Sequence, residues 1–334
     1  MDKQTSLQLI SSLSNANGAS AFEDDVLRVI RDYGRDYGEF KEDSLRNLYL
    51  SRKGNTNARP RVQLDAHSDE VGFMVQGILQ NGTLKIIPLG GWVPSNVPAH
   101  LVRVRTADGQ YIPGVVASKP PHYMTEEEKA KAVKLTDLVV DVGASSKEEA
   151  VRDYKLRIGE PIVPDVNFEY SEKHDVMIGK AFDCRLGCAA ILGTLDALKG
   201  ESLDVDITGA FAVQEELGLR GASVTANTVK PDIAIVFEGC PADDTFNDSG
   251  VVQTALKCGP MLRHADARMI TNPRFQRYAL SLGEKLNIPM QEAVRTGGAT
   301  NGAAIHLSNA GVPVIVIGMP VRYIHTHYGI ASYF

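Results

Sequence analysis

The chain predicts an α/β fold, with a mixed, mainly parallel sheet flanked by helices and a small β-barrel domain inserted into it. Three observations predict this. Short apolar runs alternate with helically spaced segments toward both ends of the chain. The central stretch 71–165 instead carries short β-rich runs broken by Asn81-Gly82, Gly90-Gly91 and Asp108-Gly109. Acids and histidines fall where the apolar runs of the first kind end, which is where open α/β sheets place their sites. A length of 334 residues leaves room for two domains. The expected division is an α/β domain over 1–70 and 166–334, with the insertion at 71–165.

The elements follow in order. Phe22, Val26, Leu27, Val29 and Ile30 have helical spacing, and Ser20 with Glu23 three residues on reads as a capping box. Strands are expected at 48–50 and 62–66, with a Gly- and Asn-containing turn at 54–57 between them. In the insertion, runs beginning at Val71, Thr83, Leu101 and Tyr111 read as strands joined by hairpins, an arrangement that suggests a barrel. Residues 126–134 form either its one helix or an exposed charged loop. From 170 onward, a strand at 176–178 leads to Asp183 and a helix near 187–198. The strand 205–213 ends in Gln214-Glu215-Glu216, and the strand 233–237 ends in Glu238-Gly239. Helices are expected at 273–286 and 300–309. A last strand, 312–317, precedes Arg322-Tyr323-Ile324-His325. Alternating strands and helices imply a mainly parallel sheet covered on both faces.

Composition narrows the function. Charged residues at 23% and hydrophobic residues at 43% are ordinary for a globular protein. A formal net charge of −6 argues against nucleic acid or an anionic membrane as partner. No apolar run approaches a membrane span, and the N-terminus lacks a signal-peptide core. The four cysteines, Cys184, Cys188, Cys240 and Cys258, form no Cys-x-x-Cys pair. Cys184 and Cys188, four apart, read as buried small residues on one helix face. A reducing cytoplasm is the expected compartment.

Seven residues could carry chemistry: His67, Asp69, Asp183, Glu215, Glu216, Glu238 and His325. His67 follows a strand directly. A ligating imidazole is usually oriented by an acid on its other nitrogen, and Asp69 or Glu70 could serve. Asp183 reads as a helix N-cap or as a carboxylate bridging two ions. Glu215 and Glu216 are adjacent acids that repel, which a dication would offset; one can ligate while the other takes a proton from water. Glu238 is followed by Asp243, Asp244 and Asp248, any of which is also a plain loop acid. Of His325 and His327, one is expected to function and one to be a bystander. His100, His122, His174, His264 and His306 read as structural or exposed. Gly297 to Gly302 opens a predicted helix without nucleotide-loop spacing and reads as a loop that substrate approaches.

The order His-x-Asp, Asp, Glu-Glu, acid, His resembles the co-catalytic dinuclear metallo-aminopeptidases. More narrowly, the chain is similar to the tetrahedral, or glutamyl, aminopeptidase family, some members of which are labelled endoglucanases. The similarity includes Leu64-Asp65-Ala66-His67-Ser68-Asp69-Glu70-Val71-Gly72, Gly90-Gly91-Trp92, Asp141-Val142-Gly143-Ala144-Ser145-Ser146, Gln214-Glu215-Glu216-Leu217-Gly218 and Arg322-Tyr323-Ile324-His325. The resemblance implies two divalent ions, zinc or cobalt. His67 and Glu238 would hold the first, Glu216 and His325 the second, with Asp183 bridging both. Asp69 would orient His67, and Glu215 would be general base and then general acid. It further implies cleavage of N-terminal residues from peptides, a β-barrel insertion in a catalytic α/β domain, and self-association into a large tetrahedral oligomer of typically twelve subunits.

Three departures from the family pattern stand out. Glu238 replaces a usual Asp, Cys184 replaces a frequent second Asp, and the chain stops at Phe334 where members usually continue through another helix. Rival readings are a metal-dependent deacylase or carboxypeptidase on the same site, a glycosidase, and a non-enzymatic scaffold. A glycosidase would use two acids across a sugar and leave the histidines without a role.

Overall fold

The computed structural model describes residues 1–334. In chain order the strands begin β1 (Gly38–Glu42), β2 (Leu48–Arg52), β3 (Arg61–His67), β4 (Gly72–Ile78), β5 (Leu84–Leu89), β6 (Leu101–Arg105), β7 (Tyr111–Val116), β8 (Val139–Asp141) and β9 (Pro161–Pro164). They continue β10 (Glu169–Ser171), β11 (Val176–Gly179), β12 (Asp206–Ala212), β13 (Ile233–Pro241), β14 (Met261–Ala265), β15 (Gln291–Val294), β16 (Val314–Val321) and β17 (Gly329–Ala331). The helices are α1 (Lys3–Asn15), α2 (Asp24–Gly34), α3 (Glu126–Ala130), α4 (Lys147–Arg152), α5 (Phe182–Ala197), α6 (Arg220–Val229), α7 (Pro273–Leu286) and α8 (Gly302–Ile305). None is long and apolar enough to cross a membrane.

The chain divides into two compact units. One comprises Met1–Asp69, Phe168–Ile324 and Tyr328–Phe334; the other comprises Glu70–Asn167 and His325–His327. The first unit is built on an eight-stranded sheet of order β1-β2-β12-β3-β13-β16-β14-β15. The contiguous run β12, β3, β13 and β16 is parallel throughout, and β1, β2 and β14 join antiparallel. Side-chain alternation covers both faces. Ile235 and Phe237 of β13 pack with Leu13, Val26, Ile30, Ile191 and Leu195 of α1, α2 and α5. Ala234 and Val236, one residue out of phase, pack with Ala222 and Ala226 of α6 and Ala303 and Ile305 of α8. The apolar spacing read in 22–30 thus turns the buried stripe Val26, Leu27 and Ile30 inward.

The second unit is a closed barrel of order β4-β5-β8-β7-β6-β9. Phe73 and Val75, Leu84 and Ile86, and Val102 and Val104 alternate into its core, as a small filled barrel requires. The hairpins β4–β5 and β6–β7 turn where Asn-Gly and Asp-Gly stand, with Gly82 at φ 87° and Gly109 at φ 83°. Residues 126–134 supply only the short exposed α3, closed by a capping box between Thr125 and Glu128.

Four expectations change. The strand at 176–178 is β11, but it belongs to a separate three-stranded sheet, β10-β11-β17; a three-residue apolar run carries no signal of which sheet it joins. Glu238 lies inside β13, opposite Gly318 of β16, because the strand continues to Pro241. The helix at 300–309 shortens to α8, since Asn309 and Gly311 take left-handed φ of 53° and 90°. Ser20 does not cap α2; the helix starts at Asp24, without a side-chain cap.

One glycine controls how closely α5 lies on the sheet. A β-carbon at Gly187 would stand 2.8 Å from the Phe237 carbonyl oxygen and 3.0 Å from Ala66 Cβ. Gly193 on the same helix has nothing within 4 Å of that position. We therefore expect Gly187→Ala to destabilise the fold by about 1–3 kcal/mol. Gly193→Ala should stabilise it by about 0.5–1 kcal/mol through helix propensity. Chemical denaturation of both variants reads the difference, and equal effects would contradict the close approach.

Candidate metal centre at the strand ends

His67 is the last residue of β3, and β12 and β13 flank β3 on either side in parallel. All three therefore deliver their carboxyl ends to one rim, where the crevice of an open sheet lies. His67 is 1% exposed. Its Nε2 is 3.0 Å from Asp183 Oδ1, 3.3 Å from Glu238 Oε1 and 3.9 Å from Glu215 Oε2. Its Nδ1 is 3.2 Å from the Asp69 carbonyl oxygen and 3.3 Å from Asp69 Oδ1. Both of these partners accept, so Nδ1 donates and Nε2 is the nitrogen turned to the acids. Asp69 is an acid beside the ring.

Asp183 arrives by a local departure from helix geometry. α5 contains a kink at its start, where Asp183 (φ −86°, ψ 106°) and Cys184 (φ −119°, ψ 40°) are not helical. Asp183 is therefore no N-cap; Ala181, at left-handed φ 56°, holds that place without a side-chain cap. Gly239 makes room for it, since a β-carbon there would stand 2.7 Å from Asp183 Cα. The buried Arg185 guanidinium anchors the same turn by donating to the carbonyls of Leu13, at 2.6 Å, and Ala16, at 3.1 Å.

Glu215 and Glu216 follow β12 in a tight turn. Asp69 accepts from the Glu215 amide at 2.9 Å and from the Glu216 amide at 3.2 Å. His67, Asp183 and Glu238 each offer a donor atom within 4.8 Å of the others, as do His67, Glu215 and Glu216. Cys184 stands in the first group. Burial raises its thiol well above the usual range, and Sγ donates to the Phe237 carbonyl at 3.1 Å. It is thus a brace for β13.

The charges are mutually shifted. Burial alone would lower the His67 pKa, but Glu215, Asp183, Asp69 and Glu238 outweigh it and hold the ring well above its usual value. Burial, reinforced by Asp183, raises Glu238 to about 7. Burial also raises Glu215, with Glu238, Glu216 and Asp183 adding to it against His67. Asp69 is lowered despite burial because His67, Ser20 and the Glu215 amide all donate to it.

These residues fit a divalent ion. Glu238 Oε2 is buried and has no hydrogen-bond partner. An acceptor left bare in a buried site is costly unless a cation meets it. One imidazole with several carboxylate oxygens suits zinc, cobalt or manganese.

The other expected residues are held as follows. His325 has φ 58° and belongs to the barrel unit, where its Nδ1 is 2.9 Å from the Gly91 carbonyl oxygen. His327 stacks on His100 with ring centroids 4.0 Å apart and leans on Trp92 at 5.0 Å. Burial and the neighbouring His100 lower its pKa to about 3. Asp243 accepts from the Thr254 amide and from Arg295, and Asp244 accepts from Nε and Nη2 of Arg322. Both acids staple loops. Asn301, in the glycine-containing loop, donates at 2.7 Å to the buried Asp65. Residues the sequence reading missed are Ser20, Glu23, Asn47 and Arg185. The first two resemble an ordinary capping box, and no local pattern marks the others.

Sequence and structure comparisons agree. The family described as M42 glutamyl aminopeptidase matches residues 47–333. Glutamyl aminopeptidase of Lactococcus lactis subsp. cremoris (strain MG1363) is 32% identical over 95% of this chain and 89% of its own length. The TET aminopeptidase of the marine sediment archaeon Thaumarchaeota archaeon SCGC AB-539-E09 superposes with a TM-score of 0.94 at 36% identity, covering 98% of this chain and 92% of that one. TET1 peptidase of Pyrococcus horikoshii, described as assembling into a tetrahedron or a large octahedral shell, gives 0.87 at 26% identity, covering 98% and 94%.

Ligation requires deprotonated donors, so the raised pKa values of Glu238 and His67 set protons against metal. A carboxyl raised to about 7 is protonated below that pH and ionised above it. Metal affinity should therefore weaken as pH falls from about 8 to about 6, with protons released on binding. Titration calorimetry in buffers of different ionisation enthalpy measures that release. A pH-independent affinity without proton release would contradict the assignment.

Proposed function

This chain belongs to the M42 glutamyl aminopeptidase family, and from that premise we propose that it is a metal-dependent aminopeptidase removing N-terminal residues from peptides. His67 and Glu238 would hold one ion, Glu216 and His325 a second, with Asp183 shared between them. Bound zinc or cobalt supplies Lewis acidity, lowering the pKa of water and drawing charge from a carbonyl oxygen. Asp69 keeps the proton of His67 on Nδ1 and so presents Nε2 as the donor. Glu215 is the proton carrier. It takes a proton from the attacking water onto its carboxylate and delivers it to the departing amine as the peptide bond breaks.

The observation that carries this reading is the placement of Glu215. Its Oε2 is 3.9 Å from His67 Nε2, farther than the oxygens of Asp183 and Glu238. It therefore stands beside the ligating group with a raised proton affinity, as a base acting on water between ion and substrate must.

Self-association is part of the proposal. The barrel unit exposes Leu101 and Val115, at 54% and 41%, and they are direct cross-strand neighbours on β6 and β7. This pair offers apolar surface to a contact between copies, and the tetrahedral or octahedral shells described for the Pyrococcus horikoshii relative suggest a large homo-oligomer. Light scattering should return a multi-subunit mass, whereas a monomer at assay concentration would remove this part.

Glu215→Gln should lower kcat by about 10²- to 10⁴-fold on aminoacyl-anilides and leave two metals per chain by elemental mass spectrometry. Full activity in the variant, or cleavage by metal-free protein, would sink the mechanism. Hydrolysis of a glucan with none of peptides would transfer the site to sugar chemistry.

A further inference from the structure

Past the last residue of β12 the chain turns out of the sheet, and buried amides there need new acceptors. Four consecutive amides find them on three side chains. Val213 donates to Asn47 Oδ1 at 3.0 Å, Gln214 to Glu23 Oε1 at 3.1 Å, Glu215 to Asp69 Oδ1 at 2.9 Å and Glu216 to Asp69 Oδ2 at 3.2 Å. Gln214 takes φ 54° directly ahead of the two glutamates, a conformation that a residue with a β-carbon adopts only when its surroundings impose it.

We propose that Ser20 and Glu23, in the segment between α1 and α2, are positioning residues that hold the loop presenting Glu215 and Glu216. This rests on the reading of Glu215 as the proton carrier. Glu23 Oε1 also accepts from the Ala21 amide at 2.9 Å, so one oxygen ties its own segment to the Gln214 turn. The Ser20 hydroxyl donates at 2.6 Å to Asp69 Oδ2, the oxygen that serves the Glu216 amide. Ser20 thereby fixes a carboxylate that His67, Glu215 and Glu216 share. Ser20, Glu23 and Asp69 are 1%, 3% and 0% exposed, so water does not replace these bonds. Burial and the nearby Asp69 push Glu23 up to about 8, which makes glutamine a close mimic of its accepting form. Neither residue is among the metal-ligating groups, so both act through the loop.

The test compares Ser20→Ala, Glu23→Ala and Glu23→Gln with wild type in the full chain, each loaded with cobalt. Glu215→Gln serves as reference. kcat and KM on an aminoacyl-anilide, metal content and Tm are measured for each. Ser20→Ala and Glu23→Ala should lower kcat by about 10- to 100-fold with KM, metal content and folded fraction unchanged. Glu23→Gln should restore most of the loss, because the accepting oxygen is kept. Wild-type kcat in Ser20→Ala and Glu23→Ala, or Glu23→Gln as impaired as Glu23→Ala, overturns the proposal. If Glu23→Ala does not fold, Ser20→Ala decides, since it removes a single hydroxyl. Should Glu215→Gln keep full activity, the functional reading itself fails. An inactive Glu215→Gln beside unaffected Ser20 and Glu23 variants removes only the positioning role.

Discussion

Crowded carboxylates around one imidazole are the constraint on which the site depends. Asp183, Glu238 and Glu215 present oxygens at 3.0, 3.3 and 3.9 Å from the Nε2 of a histidine that is 1% exposed. Asp183 and Glu238 bring oxygens within 4.8 Å of each other, as do Glu215 and Glu216, and like charges that close in a desolvated place repel by about several kcal/mol unless positive charge or protons intervene. The shifts run in the direction this demands, with His67, Glu215 and Glu238 all raised. A cluster of this kind costs stability in any protein that does not use it. Its persistence in a fold otherwise packed with apolar side chains is the physical argument for cation chemistry.

The sheet makes that crowding possible without making it flexible. Parallel pairing of β3 with both β12 and β13 fixes the separation of the three strand ends. Asp183 then enters from α5, which lies close because Gly187 and Gly239 carry no β-carbon. Arg185, 0% exposed, ties the start of α5 to the carbonyls of Leu13 and Ala16. A charged acid, a buried cation and two glycines thus occupy one short region. Each is unfavourable alone, and together they place one carboxylate.

What the sequence revealed of this follows from how each signal is encoded. Central strands such as Ile233–Phe237 carry apolar side chains packed on both faces and read as unbroken apolar runs. The Asn-Gly and Asp-Gly turns announce the β4–β5 and β6–β7 hairpins by their left-handed glycines. Acids next to apolar runs are visible for the same reason, and His67, Asp183, Glu215, Glu216 and Glu238 do lie together. Less legible were features that depend on distant partners. Val176–Ile178 has the same texture as a central strand but pairs with Glu169–Ser171 and Gly329–Ala331. Ser20 and Glu23 have capping-box spacing, yet Ser20 donates to Asp69 and Glu23 accepts from Gln214. Local spacing cannot distinguish a helix cap from a strap when the same oxygens serve either.

Glu238 and Cys184, the two positions where the sequence departs from the pattern it resembles, are linked through one strand. Glu238 sits inside β13 rather than beyond it, and its side chain brings Oε1 to 3.3 Å from His67 Nε2. Cys184, adjacent to Asp183, places its Sγ 3.1 Å from the carbonyl of Phe237, the residue before Glu238. A second aspartate in place of Cys184 would bring another negative charge to a site already holding Asp183, Glu215, Glu216 and Glu238. It would also replace a donor to that carbonyl with an acceptor. The thiol, kept neutral by burial, instead donates to the backbone of the strand that carries the longer acid. Glu238 and Cys184 therefore form a compatible pair, in which one carries its carboxylate to His67 and the other steadies the strand beneath it without adding charge.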